Sequence, residues 1–148
     1  MKIETRYFGE VEIDMTEAVR FSQPLYGFEK LEKYALLSDS TISDCFLWLQ
    51  AIDDKDTCFI LVDPSVLFYH YEPMLTPDML RQVGCTKAED VVVRLVAVIP
   101  ENFNTSTVNL KCPIVINTTG HCAAQVMLED DYPIRAPLVE GGEEAPPC

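Results

Sequence analysis

The sequence CFLWLQAIDDKDTCFILV, at residues 45–62, contains two apolar runs, at 45–51 and 57–62, that are rich in aromatic and branched side chains. Runs of this length and composition are typical of β-strands. The segment between them carries Asp53, Asp54 and Asp56. These carboxylates could bind Ca²⁺, but the segment lacks the length and the later Glu of a calcium loop, which favours an exposed turn. Residues 45–62 therefore predict an antiparallel strand pair.

The first of these strands is apolar on both faces. Because side chains alternate along a strand, Phe46 and Trp48 point to one side, and Leu47 and Leu49 to the other. This pattern is typical of a strand that is covered on both sides. Two interpretations of Trp48, the one Trp in the chain, stay open: a core side chain, or an exposed aromatic anchor for a partner.

Short apolar runs, separated by Asp, Pro, Gly, Ser and Thr, continue along the rest of the chain. Turn signals at Phe8-Gly9 and at residues 117–120 predict two further hairpins. This spacing predicts a mainly β fold, either a compact antiparallel barrel-like domain or a sandwich. The predicted strands are residues 3–7, 11–14, 18–21, 34–37, 45–51, 57–62, 91–99, 108–110, 113–117 and 122–128.

One short helix is predicted after residue 76. Thr76 is a capping residue type, Pro77 fits the first helical position, and Gly84 fits the position just past the end. Residues 86–89 have the spacing of a capping box and predict a second short helical turn. This is too little helix for an alternating α/β fold.

The length of 148 residues suits one domain, which we place at residues 1–138. Residues 139–148 contain Gly, Pro and Glu and predict a flexible acidic tail. A strand at residues 2–7 leaves no evident signal peptide. The most apolar stretch, residues 91–99, is too short to span a membrane. These features predict a cytoplasmic protein.

The charge is strongly negative, with 24 acidic and 11 basic residues and a net charge of −13. Nucleic-acid binding depends on clustered Lys and Arg, and here the basic residues are scattered. The balance therefore argues against a direct nucleic-acid partner. Two interpretations of the acidity stay open: attraction of a basic protein partner, or solubility alone.

Patterns that predict catalysis or a cofactor are missing from the sequence. It has no phosphate loop, no dinucleotide-binding turn and no GxSxG elbow. The six cysteines form no CxxC pair, and in a reducing compartment they are expected to behave as small buried apolar residues. We therefore predict no catalytic residues, no metal and no cofactor. The alternative, an enzyme or small-ligand-binding barrel, predicts a deep pocket with converging polar groups, and a cleft that joins Asp53, Asp54, His70 and His121 would favour it.

An aromatic segment precedes the predicted helix. Residues 66–74 read VLFYHYEPM, and Pro73 limits their use as an interior strand. Tyr, Phe and Met beside a carboxylate are typical of a contact surface. The segment suits the core and a protein interface equally, and its candidate partner-binding residues are Phe68, Tyr69, Tyr71 and Glu72.

Taken in order, several motifs resemble those of the FliW family of flagellar assembly factors, and the resemblance covers residues 1–138. It implies a compact antiparallel β-barrel-like fold without catalysis. It also adds a second set of candidate partner-binding residues near the end of the domain, Asp130, Asp131, Tyr132 and Arg135. The motifs are residues 1–10 (MKIETRYFGE), 21–28 (FSQPLYGF), 46–50 (FLWLQ), 63–64 (DP), 71–73 (YEP), 99–100 (IP), 109–117 (NLKCPIVIN) and 131–138 (DYPIRAPL).

The family implies two protein partners. One is flagellin, and the other is CsrA, a basic RNA-binding translational repressor. In the implied partner switch, flagellin holds the protein while subunits accumulate, and after export the freed protein binds CsrA and relieves repression of flagellin synthesis. The resemblance further implies a monomer when free, without nucleic acid or membrane as a direct partner. The alternative is an export chaperone for flagellin without a regulatory partner.

Overall fold

The computed structural model describes residues 1–23, 25, 27–39 and 43–139. Within these ranges the chain forms eleven β-strands and one α-helix, joined by turns and short 3-10 segments, so the predicted mainly β class is confirmed. The predicted tail lies outside the described residues except for Val139. The elements are β1 (Lys2–Thr5), β2 (Gly9–Glu12), β3 (Val19–Phe21), β4 (Lys33–Asp39), β5 (Ser43–Ala51), β6 (Cys58–Val62), α1 (Pro77–Arg81), β7 (Val92–Val98), β8 (Thr107–Val108), β9 (Ile114–Asn117), β10 (Cys122–Gln125) and β11 (Ala136–Pro137).

Seven of the described strands close into a barrel in the order β3-β4-β5-β6-β7-β9-β10, because β10 returns to pair with β3. The predicted hairpin at residues 45–62 is confirmed, with Leu47 opposite Leu61. The neighbours in this ring are antiparallel except β3 and β10, which are parallel. Closure gives each of these strands a neighbour on both sides, although β4 pairs with β3 only at Lys33 and Tyr34.

The barrel interior is filled by the inward-facing side chains of its strands. Tyr34, Leu61 and Ile114 are fully buried there. The rings of Phe21 and Tyr34 meet edge to face at 5.1 Å between centroids. Alternation therefore places one apolar row of each strand inside, and the other row is free to pack against elements outside the barrel.

The outer faces of the barrel are also covered. Leu80 of helix α1 and Val83, just after the helix, pack against the outward side chains of β9 and β10. A second cluster covers β6 and β7 and brings in Leu110 and Leu138 from the later part of the chain. The amide of Asn117, at the end of β9, donates to the carbonyl of Val83 at 2.8 Å and ties the helix to the hairpin.

The N-terminal hairpin β1–β2 covers the outside of β5, where Phe8 meets Trp48 edge to face at 5.1 Å. Trp48 is buried, so its interpretation as core is confirmed and as an exposed anchor is wrong. Next to it, Gln50 is fully buried. Its side-chain oxygen accepts from the N–H of Arg6 at 3.0 Å, and its amide nitrogen lies within 3.3 Å of four carbonyls, three of them in the β5–β6 turn.

The helical predictions are partly correct. Helix α1 begins after Thr76, whose hydroxyl accepts from the N–H of Met79, and the chain turns at Gly84 with a φ of +77°. The second predicted turn is a 3-10 segment at Ala88–Asp90. The predicted capping box at residues 86–89 is wrong. The turn begins one residue later than predicted, with Lys87 at the cap position, and no side chain makes a cap hydrogen bond.

Several strand ends differ from prediction for identifiable reasons. The strand predicted at residues 122–128 ends at Gln125: the N–H of Val126 donates to the carbonyl of Pro113, but Pro113, just before β9, has no N–H to continue the ladder. The strand predicted at 108–110 ends at Val108, because the N–H of Leu110 donates to the carbonyl of Pro133. Strand β11 was not predicted, since two residues carry no periodic signal.

Two expectations about the whole chain can be compared with the described part. Among the described residues, no helix combines the length and hydrophobicity that a membrane crossing needs. The five described cysteines are less deeply placed than expected, with Cys85 buried and Cys45, Cys58, Cys112 and Cys122 only half-buried, and Cys148 lies outside the described residues.

Candidate functional site

The two sets of predicted partner-binding residues lie side by side. The rings of Tyr71 and Tyr132 are 4.8 Å apart, and the Tyr132 hydroxyl accepts from the N–H of Glu72 at 3.1 Å. The Tyr69 hydroxyl donates to the carbonyl of Pro137 at 2.8 Å. Segments that are 60 positions apart in sequence therefore form one surface, here called the aromatic surface. Its members are Phe68, Tyr69, Tyr71, Glu72, Asp130, Asp131, Tyr132 and Arg135.

The aromatic segment belongs to both the core and the surface. A 3-10 turn at Pro64–Val66, capped by the Asp63 carboxylate, leads the chain away from β6. Beyond it, Tyr69 and Tyr71 turn inward and pack on the cluster that covers β6 and β7. Phe68 faces outward and is 43% exposed. The core interpretation is therefore confirmed for Tyr69 and Tyr71, and the interface interpretation stays a prediction, with Phe68 exposed as it requires.

The inward tyrosines anchor the surface to the barrel. The Tyr71 hydroxyl donates to the carbonyl of Leu110 at 2.8 Å. Burial is the main cause that raises the pKa of Tyr71, and the neighbouring Tyr132 and Asp130 add to it. Burial also raises the pKa of Tyr69. Both phenols therefore stay protonated at neutral pH and act as hydrogen-bond donors.

Charged residues surround the aromatic centre. Glu72 and Asp131 are exposed, and the Glu72 carboxylate lies 3.3 Å from the His70 ring nitrogen. The Lys111 ammonium donates to the carbonyl of Asp130 at 2.7 Å, and Arg135 is exposed on the same segment. An aromatic centre with a charged rim is the usual anatomy of a protein interface.

A groove opens beside the aromatic surface, where the chain leaves β7. Val108 pairs with Ala97, and Ile114 pairs with Arg94. The segment from 108 to 114 therefore advances six residues while β7, opposite it, advances three. The N–H of Asn109 donates to the carbonyl of Val96 at 2.9 Å, and the additional residues follow this bond as a bulge. A cavity lined by Val96, Asn109, Cys112 and Gln125, among others, opens at this bulge. The resulting cavity has a volume of about 660 Å³.

This cavity, called the groove, is lined mainly by apolar residues and has a polar rim. Its floor is continuous with the barrel core, since Leu25 belongs to that core and Phe28, Phe59 and Val96 pack on it. Met127 stands at the lip and is 68% exposed. The apolar lining is Leu25, Phe28, Phe59, Val96, Val126 and Met127, and the remaining lining is Gln23, Glu29, Asn109, Cys112 and Gln125.

The sequence predictions did not include the groove. One signal was present: alternation along residues 122–128 places Ala124, Val126 and Leu128 on one face and leaves Met127 on the other. An apolar side chain on the second face of a strand near its end is either inside the barrel or at its mouth. Which of the two locations Met127 takes depends on the bulge opposite β7. This bulge arises from pairing between segments distant in sequence, which local patterns do not report.

The arrangement that would favour the enzyme alternative does not occur in this groove. None of Asp53, Asp54, His70 and His121 lines it. The Asp54 carboxylate instead accepts from Thr57 and from the N–H of Asp56, and these bonds lower its pKa. In the part of the chain that the structure describes, no three His, Cys, Asp or Glu side chains are grouped as in a metal site.

Comparison with known proteins assigns the fold to a family. The sequence profile described as "FliW protein" matches residues 2–138. The chain belongs to the FliW family. The resemblance predicted from its motifs is therefore confirmed, and the match covers the whole predicted domain.

Individual FliW relatives agree with this assignment over nearly their whole length. The "Flagellar assembly factor FliW" of Syntrophus aciditrophicus is 38% identical over 144 residues, which is 97% of this chain and 90% of that protein. The protein of the same name from Caldicellulosiruptor saccharolyticus is 34% identical and covers 93% of this chain and 90% of its own. A crystal structure of the flagellar assembly factor FliW superposes with a TM-score of 0.85 at 32% identity, covering 93% of this chain and 96% of the other.

Proposed function

We propose that this FliW chain is a flagellar assembly factor that works by binding two proteins in alternation, flagellin and the translational repressor CsrA. Bound flagellin keeps the chain away from CsrA while subunits accumulate. After flagellin is exported, the freed chain binds CsrA and relieves repression of flagellin synthesis. The name carried by the relatives supports the role in flagellar assembly. The two partners are those that the resemblance of its motifs to the family implies.

The observation that carries the binding role is the aromatic surface. It joins an exposed ring, Phe68, to a scaffold held in place by Tyr69, Tyr71 and Tyr132. Rigid aromatic side chains bury large areas at little entropic cost, which is why they are enriched at the centre of interfaces. Ile134 and Met74, 61% and 67% exposed, extend the apolar area on the same two segments.

The charge of the chain supports CsrA as one of the partners. A net charge of −13 attracts a basic RNA-binding protein over long distances and accelerates their association. Once docked, the same charge repels RNA phosphates from the repressor. Displacement of RNA is then partly electrostatic and does not require the chain to cover the RNA site.

Binding assays with purified proteins test the proposal. Flagellin and CsrA from the same organism are each titrated against the chain by isothermal calorimetry, and each is then titrated in the presence of the other. We expect both to bind, and flagellin to reduce CsrA binding. Binding of flagellin alone would favour the export chaperone, and binding of neither would refute the proposed function.

Variants of the aromatic surface locate the interface. Phe68→Ala removes the exposed ring, and we expect it to weaken binding of at least one partner about tenfold or more, as truncation of an interface hot spot does. Phe103→Ala is the matched control, because Phe103 is half exposed and lies in a 3-10 turn outside the aromatic surface. Equal effects of the two variants on both partners would contradict this location.

RNA release tests the electrostatic part. Glu72→Gln and Asp131→Asn remove two exposed charges from the aromatic surface without changing its shape. We expect the double variant to displace RNA from CsrA less completely than the wild type when both are saturating, measured by fluorescence anisotropy of labelled RNA. Full displacement by the double variant would contradict a role for charge at this surface.

A further inference from the structure

We propose that the groove is a second protein-binding site, which takes a short basic segment of CsrA carrying one large apolar side chain next to a Lys or Arg. The inference rests on the proposed function and adds to it a location and a recognition chemistry that differ from those of the aromatic surface.

The size and lining of the groove suit an apolar side chain. Its volume of about 660 Å³ lies in the range of about 300–1,000 Å³ that is common for ligand pockets. The rings of Phe28 and Phe59 meet edge to face at 5.1 Å and form a rigid wall. Met127, at the lip, has the flexible side chain that is frequent at protein-binding surfaces. An apolar side chain entering here would continue the barrel core.

The rim suits a polypeptide backbone. Gln23, Asn109 and Gln125 line the groove with carboxamides, groups that can donate and accept hydrogen bonds as a peptide group does. The Gln125 amide nitrogen donates to the carbonyl of Cys112 at 3.3 Å, which orients this side chain. Asn109 uses its oxygen to accept from the N–H of Cys112, so its amide nitrogen is oriented by the bulge itself. Three carboxamides around an apolar floor match a segment that presents peptide groups on either side of its anchoring side chain.

The charge of the groove lining and of the whole chain favours one kind of bound segment. Glu29 is the one charged residue among the described lining residues, and neither Lys nor Arg lines the groove. Glu29 is exposed, and no described cation lies within ion-pair distance of its carboxylate. With a net charge of −13 around it, the groove favours a cationic segment over an acidic one. Of the two proposed partners, this chemistry fits the basic one.

The groove and the aromatic surface share a wall. Residues 109–112 lie between them, with Asn109 and Cys112 on the groove and Leu110 tied to Tyr71 on the other side. A partner in the groove is therefore close to a partner on the aromatic surface. This arrangement provides a physical reason for one partner to hinder the other.

Two exposed substitutions test the groove without disturbing the core. Met127→Glu places a charge at the lip, and Glu29→Lys reverses the charge of the rim. Their matched controls are Phe103→Glu and Glu89→Lys, which make the same changes at exposed positions that do not line the groove. Both Glu→Lys variants have a net charge of −11, so a difference between them reports position and not total charge.

We expect each groove variant to raise the Kd for purified CsrA about tenfold or more, and each control to change it less than about twofold. Unchanged affinity in both groove variants, or equal losses in the controls, would overturn the inference and leave the proposed function standing. A wild-type chain that bound neither CsrA nor flagellin would overturn the proposed function and this inference with it.

Cross-linking gives a second and direct measurement. Met127→p-benzoylphenylalanine places a photoreactive group at the lip, and mass spectrometry identifies the CsrA peptide it captures. A captured peptide with Lys or Arg beside a large apolar residue supports the inference. Capture of an acidic peptide, or no capture under conditions where the complex forms, contradicts it.

Discussion

The hydroxyl of Tyr34 lies in the barrel core without a hydrogen-bond partner among the described residues, and the residue is fully buried. Leaving a buried polar group unpaired costs about 1–3 kcal/mol. We therefore expect Tyr34→Phe to leave the free energy of unfolding unchanged or to raise it by about 1 kcal/mol, measured by urea denaturation at neutral pH. A marked loss of stability would show that the hydroxyl has a partner.

The same hydroxyl makes stability sensitive to alkali. Burial, with a smaller contribution from the charge of Asp54, raises the pKa of Tyr34 to about 12 from an ordinary value of about 10. Between these pH values the unfolded chain has lost a proton that the folded chain keeps, so the free energy of unfolding falls as the pH rises. Tyr34→Phe should show a shallower fall than the wild type between about pH 10 and about pH 12. Tyr7→Phe, at an exposed position, is the control and should follow the wild type.

At the scale of elements, the N-terminal hairpin depends on one buried amide. Gln50 connects the chain at Arg6 to the turn between β5 and β6. Gln50→Leu keeps the volume but removes the acceptor of the Arg6 N–H and the donor to the carbonyl of Lys55, both in a part-buried setting. We expect the free energy of unfolding to fall by about 2–4 kcal/mol.

Thermal and urea unfolding of Gln50→Leu measure this loss, and Gln82→Leu, at an exposed position, is the control. Amide hydrogen exchange should also show faster exchange in β1 and β2 than in the wild type, because the hairpin loses its attachment. Wild-type exchange rates in these two strands would contradict the role given to Gln50.

The same elements show how far local patterns lead. The hairpin of β5 and β6, the cap at Thr76 and the apolar faces around Trp48 were predicted correctly, because each depends on residues that are close in sequence. The parallel pairing of β3 with β10 and the two-residue strand β11 depend on contacts between distant segments. Sequence alternation alone does not report such contacts.

The candidate site divides in the same way. Residues 68–72 were predicted from their composition and residues 130–135 beside the family motif at 131–138, but the contact between Tyr71 and Tyr132 appears only in the fold. The groove depends on a bulge between two pairing registers and has no local signature except Met127.

At the scale of the whole molecule, the excess of acidic residues should make salt act in opposite directions on folding and on binding. In the free chain, 24 acidic residues against 11 basic ones repel one another more in the compact state than in the unfolded one. Raising NaCl from about 0.05 M to about 0.5 M shortens the Debye length and should raise the Tm. The same screening weakens long-range attraction of a basic partner, so the association rate with CsrA should fall.

Differential scanning fluorimetry and stopped-flow association, in matched buffers, measure the two effects on one preparation. The double variant Glu17→Lys and Glu101→Lys lowers the net charge to −9 at exposed positions and should reduce both salt dependences together. If salt lowered the Tm of the wild type, self-repulsion would not be the dominant effect of its charge. If the association rate were independent of salt while affinity was retained, the acidity would serve solubility and not attraction of the partner.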